Sequence, residues 1–170
     1  DDQIPFIEYF VIPYLLWFIF IAATLAYFFF TDKRGFYRLA AFLCTGMTIF
    51  LIVCTVFPNA QNLRPDTFAR DNVFVDLVRY IYQTDTPTNV LPSIHVFNSL
   101  GAAIAIAKSS SLKKHRMLQW GAYILTALII LSTVFLKQHS VTDMIAAFAM
   151  ASILYPLIYA AQEKKAPKFS

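Results

Sequence analysis

The chain has 170 residues, of which 58% are hydrophobic, 16% aromatic and only 14% charged, and its mean hydropathy is +0.58. That composition excludes an ordinary soluble domain and marks an integral membrane protein. The formal charge of +4 would suggest nucleic acid in a soluble protein, but in a membrane chain the placement of charges matters more than their sum, and no nucleic-acid partner is expected.

At roughly 20 residues per span the chain has room for several spans and short loops, and it reads as one domain over residues 1–170 with no linker, low-complexity tract or internal repeat. Residues 9–30 form the first apolar run, with Tyr9, Tyr14 and Trp17 clustered at its start as an interfacial aromatic anchor. A tight charged turn over residues 31–35 leads into a second run, 36–57, which ends at Pro58-Asn59. Cys44 and Cys54 lie ten apart on that run. Partners so placed on one helix do not meet, so neither a disulfide nor a metal site is expected.

A long polar connection follows. Within it, residues 71–83 set charges (Asp71, Asp76, Arg79) against apolar positions (Val73, Leu77, Tyr80, Ile81) at helical spacing, which predicts an amphipathic helix, lying on the membrane or packed as a loop helix. Pro92-Ser93-Ile94-His95 opens a third run that ends near Lys108, and its Gly101, Ala102, Ala103, Ala105 and Ala107 allow close helix approach inside a bundle. After a basic loop containing a solvated His115, residues 118–135 and 141–160 form the fourth and fifth runs, and a basic, frayed tail covers 162–170. The expected fold is all-α, a polytopic transmembrane helical bundle of about five spans.

Alternating sides at each span places Lys33, Arg34, Arg38, Lys108, Lys113, Lys114, Arg116, Lys164, Lys165 and Lys168 on one side and only Arg64, Arg70, Arg79 and Lys137 on the other. The side richer in lysine and arginine is expected to be cytoplasmic. Arg64, Ser93, His95, Lys137, His139 and Asp143 then share the extracytoplasmic face.

These residues suit phosphate chemistry. His139 and Asp143 are four apart, so on a helix they share a face and the carboxylate can hold one imidazole nitrogen while the other stays free. The alternative is that Asp143 only starts a helix and His139 is a wet loop residue. Ser93 can cap the third helix and aim its first N–H groups at an anion, Arg64 can grip phosphate oxygens in a fork, and Lys137 adds a point charge. His139 could attack phosphorus while His95 protonates the leaving oxygen, which requires the two histidines to hold opposite protonation states. Thr126, Ser132 and Thr133 are expected to bond to neighbouring backbone.

At these positions the chain resembles the type 2 phosphatidic acid phosphatase superfamily, whose motifs read Lys-x6-Arg-Pro, Pro-Ser-x-His and Ser-Arg-x5-His-x3-Asp. Arg64-Pro65, Pro92-Ser93-Ile94-His95, and Ser132 with His139 and Asp143 match them. The resemblance implies a membrane lipid-phosphate phosphatase that needs no metal or other cofactor. In it His139 would be the phosphohistidine nucleophile, Asp143 its orienting partner and His95 the general acid, with Arg64 and Ser93 as phosphate binders. Substrates would be phosphate monoesters or pyrophosphates on lipids in the plasma or cell membrane. Members have six helices, which leaves a further span expected before Asp1. Two departures stand out: Phe57 and Thr133 replace the family's motif lysine and arginine. Lys137, one helical turn beyond Thr133, is the expected substitute for one of them. The same departures keep two alternatives open, a lipid phosphotransferase that passes the phosphoryl group to another alcohol, and a non-catalytic lipid-phosphate binder or transporter. Oligomeric state is not legible.

Overall fold

The computed structural model describes residues 1–160, which hold six α-helices and no strand. They are α1 (Val11–Thr31), α2 (Lys33–Val56), α3 (Val73–Thr84), α4 (Ile94–Lys108), α5 (Arg116–Phe135) and α6 (Val141–Tyr155). Four continuous helical stretches are long and apolar enough to cross a membrane: Glu8–Thr31, Lys33–Val56, Arg116–Phe135 and Val141–Tyr159. The third run is the shorter α4, and the expected basic tail, with Lys164, Lys165 and Lys168, lies outside the described residues. Large apolar side chains such as Phe18, Ile19, Phe30, Leu51, Ile124 and Ile153 are exposed around the outside, as a bilayer requires and water would penalise.

α4 is the axis of the bundle. Its 15 residues span roughly 22 Å, short of the roughly 30 Å hydrocarbon layer, and nine of them are buried against α1, α2, α5 and α6. Small residues make this approach possible. A Cβ on Gly101 would lie 2.8 Å from the Phe42 ring, and one on Gly46 would overlap the ring of Phe97. Phe42 and Phe97 themselves stack with centroids 4.6 Å apart. Without those glycines α2 would stand off and the aromatic pair would part.

α1, α4 and α6 begin, and α2 and α5 end, at the same end of the bundle, where Ile7 N donates to Phe135 O (3.2 Å) and Ser93 N to Asp143 O (3.2 Å). α3 closes this end. Asn72 caps it by accepting from Phe74 N and Val75 N at 3.0 Å each, and Val75, Val78 and Ile81 are its buried stripe. Val78 and Ile81 cluster with Val11, Tyr14 and Leu136. Of the apolar positions read from the sequence only Ile81 belongs to this stripe; Val73, Leu77 and Tyr80 are exposed, so the packed face lies on the other side of the helix from the one expected. The first run's aromatics differ from expectation: Tyr9 is exposed, whereas Tyr14 is buried and Trp17 half-buried. Their rings turn inward on His95, 4.7 Å and 4.4 Å away between centroids. The turns at the opposite end carry Lys33, Arg34, Lys108, Lys113, Lys114 and Arg116.

Candidate active site

The junction between α5 and α6 is short and is shaped by its backbone. α5 closes with Lys137 N donating to Val134 O (3.0 Å) and Gln138 N to Thr133 O (2.9 Å), while Lys137 takes φ 53°. This is a left-handed helix stop of the kind that glycine usually provides, and a side chain there costs about 1 kcal/mol. His139 N also donates to Thr133 O (3.0 Å), so the imidazole is hung directly beneath the end of α5. Ser140 then starts α6 through a capping box: Asp143 N donates to Ser140 Oγ (3.1 Å) and Ser140 N to Asp143 Oδ2 (2.8 Å).

Two expectations about this junction are corrected. Lys137 does not continue the helical face of Thr133, because α5 ends at Phe135; its ammonium instead donates to Asp1 O at 2.7 Å. His139 and Asp143 do not share a helical face, because α6 begins two residues after His139. They approach through the cap turn, with His139 Nδ1 3.6 Å from Asp143 Oδ2. Asp143 is therefore both a helix starter and the carboxylate beside the histidine, and His139, a wet loop residue in the alternative reading, is buried.

His95 stands on the first turn of α4. Ser93 is fully buried, accepts from Val96 N through Oγ (3.4 Å), and ties α4 to α6 through its N–H bond to Asp143 O. The N–H groups of Ile94 and His95 at that helix start have no intrahelical carbonyl. The rings of His95 and His139 are 5.6 Å apart. Both side chains are buried, and Nδ1 of each lacks a hydrogen-bond partner among the described residues. A cavity of about 80 Å³ touches both histidines, Gln138, Asp85, Thr86 and Thr88, several times the space that one water needs.

Arg64 reaches the same region from the connection between α2 and α3. Its Nη2 donates to Gln138 Oε1 (2.7 Å) and its Nη1 to Tyr82 O (3.0 Å), and the guanidinium lies 4.4 Å over the Tyr82 ring. Nε is buried without a partner among the described residues. Burial pulls the Arg64 pKa down while Tyr82, Asp85 and Tyr14 pull it up; guanidinium stays charged throughout the physiological range. Gln61 Nε2 donates to the carbonyls of Gln138 and Lys137, which braces the junction from the same connection.

The structure thus brings His95, His139, Asp143 and Ser93 together, sets Arg64 behind Gln138, and turns the Lys137 ammonium toward Asp1. Phe57, at the end of α2, is exposed, and Thr133 is fully buried with its hydroxyl on Ile130 O (2.8 Å), so neither supplies a cation. Ser132 likewise bonds to Ile129 O (2.6 Å), as expected of it, whereas the buried Thr126 hydroxyl has no partner among the described residues. Gln61, Tyr82, Asp85 and Gln138 are absent from the sequence-derived site. Their partners lie 18 to 77 residues away in the chain, and only the position of Gln138 beside His139 offered a local signal.

No curated protein and no solved structure matches the chain. The PAP2 superfamily profile matches residues 39–167, from within α2 through the whole site and beyond. This supports an activity of phosphatase or phosphotransferase type on a lipid phosphate. With the motif residues gathered at one end of a helical bundle and that profile covering most of its length, the chain belongs to the PAP2 superfamily.

Proposed function

We propose that this protein is a lipid-phosphate phosphohydrolase that cleaves a phosphate monoester or pyrophosphate through a phosphohistidine, without a metal, at the extracytoplasmic face of the plasma or cell membrane. One observation carries the reading: two buried histidines 5.6 Å apart face one small polar cavity, and one of them has a capped carboxylate 3.6 Å from its Nδ1. The basic turns at the opposite end of the bundle support the sidedness.

In the first step the Nε2 lone pair of His139 attacks phosphorus. The bond to the leaving oxygen breaks with its electrons on that oxygen, which takes a proton from His95. Asp143, 3.6 Å from Nδ1, keeps the Nδ1–H of His139 turned inward, so Nε2 is the nitrogen presented. In the second step water attacks phosphorus, gives its proton to His95 and displaces His139, releasing phosphate. Ser93 sets the N–H groups at the start of α4 toward the phosphoryl oxygens, Arg64 contributes charge from behind Gln138, and Lys137 joins once its ammonium exchanges Asp1 O for phosphate.

The decisive experiment is phosphate release from lipid phosphates in chelator, with trapping of labelled phosphoenzyme. Release and label should both be present in the native chain and vanish in His139→Ala. His95→Asn should slow alkyl phosphates strongly but spare a substrate with an already good leaving group; equal losses on both would remove His95 from the acid role. A second reading, transfer to another alcohol, is favoured by the hydroxyl- and carboxylate-bearing wall of the cavity at Asp85, Thr86 and Thr88. New phospholipid formed on adding an alcohol, in place of free phosphate, would identify it.

A further inference from the structure

We propose that Asp85 selects the alcohol portion of the substrate: its carboxylate, at the mouth of the histidine cavity, accepts a hydrogen bond from a hydroxyl or ammonium group close to the ester oxygen. The preferred substrate class is then a phosphate ester of a hydroxylated or amino alcohol, and not of a plain alkyl alcohol. The inference rests on the phosphohydrolase reading and narrows it.

Asp85 is the residue at which α3 stops. Its N–H donates to Ile81 O (2.8 Å), which fixes the backbone, while the residue is exposed where it meets the cavity. A carboxylate can accept about four hydrogen bonds, and Tyr14 supplies one, at the long distance of 3.4 Å. Tyr14 also stacks on His95, so Asp85 lies on the side of the site where the proposed acid meets the leaving oxygen.

Charge sets the direction in which a substrate can lie. Among the described residues no lysine or arginine lines this cavity. Arg64 interacts with Asp85 through space, but it does not line the cavity, and two of its N–H donors are engaged by Tyr82 O and Gln138 Oε1. Phosphoryl oxygens are repelled by Asp85 and drawn to the N–H groups at the start of α4. The alcohol is therefore left facing Asp85. Asp85 is exposed and hydrated while the site is empty, so it discriminates against an alcohol with no donor only as the bound lipid covers the mouth of the cavity and displaces that water.

Three long-chain probes in detergent micelles test this: 1-acylglycerol 3-phosphate with its free 2-hydroxyl, the same lipid lacking that hydroxyl, and the 2-amino counterpart. The native chain should favour the hydroxyl probe, the amino probe or both over the deoxy probe by about tenfold in kcat/KM, the effect of one charge-assisted hydrogen bond. Asp85→Ala should bring those ratios close to one. Asp85→Asn, whose amide oxygen still accepts, should retain a hydroxyl preference and lose most of an ammonium preference, which tells the two donors apart. Absence of any preference in the native chain, or ratios that survive Asp85→Ala, including an equal fall on all three probes, would reduce Asp85 to a helix stop and overturn the inference while leaving the phosphohydrolase reading in place. No phosphate from any probe would overturn both.

Discussion

The α5–α6 junction and the connection between α2 and α4 both reach the histidines, by opposite means. The junction positions His139 through main-chain bonds: Thr133 O receives both Gln138 N and His139 N, and the capping box seats Asp143. The connection is longer and acts through side chains. Asn59 Oδ1 accepts from Val90 N (2.8 Å) and Leu91 N (3.0 Å), Gln61 holds two junction carbonyls, and Arg64 reaches Gln138. Backbone placement is hard to alter by a point substitution and would suit the group proposed to meet phosphorus. Side-chain placement can change residue by residue, and suits groups that grip or select the substrate.

This contrast can be broken at graded strengths. Asp143→Ala should have the largest effect, about 3–4 kcal/mol of transition-state stabilisation in kcat/KM, together with about 1 kcal/mol of stability from the lost cap. Asp143→Asn keeps an oxygen for Ser140 N and should keep most of the stability while activity still falls. An activity loss that merely tracks melting temperature across the two variants would remove Asp143 from the orienting role. On the side-chain arm, Arg64→Ala should weaken kcat/KM by about 2 kcal/mol, chiefly through KM, with Arg64→Lys giving little rescue because the fork to Tyr82 O and Gln138 is lost. A pure kcat effect would instead place Arg64 at the reacting atoms. Asn72→Ala, remote from the chemistry, should lower stability by about 1 kcal/mol and leave turnover within about twofold. The smallest shift has the opposite sign. Lys137→Gly should raise stability by about 0.5–1 kcal/mol, because glycine accepts φ 53° without strain. If phosphate release from the variant equals that of the native chain, the Lys137 ammonium has no part in binding.

Helix order, the inward position of the third run and the convergence of Arg64, Ser93, His95, His139 and Asp143 on one end were legible because apolar run length and short motifs are local properties. The shape of the junction was not. Its helix stop falls on Lys137, where a glycine would have announced it, so a continuous helical face was the natural reading. Tyr14 and Trp17 were likewise read from their place at a span end, although the His95 ring that holds them is about eighty residues away in the chain. Asp85 belongs to none of the sequence motifs and stops α3 in a turn. Only the fold shows that this turn opens onto two histidines.

Asp143 Oδ2 accepts from Ser140 N at 2.8 Å and faces His139 Nδ1 at 3.6 Å. A single oxygen thereby works as an interlock between folding and chemistry. On the proposed mechanism, fraying the first turn of α6 would disarm the histidine while the rest of the bundle still stands, so heat should silence phosphate release before it melts the chain, and a partly assembled copy in the bilayer would leave the lipids around it intact.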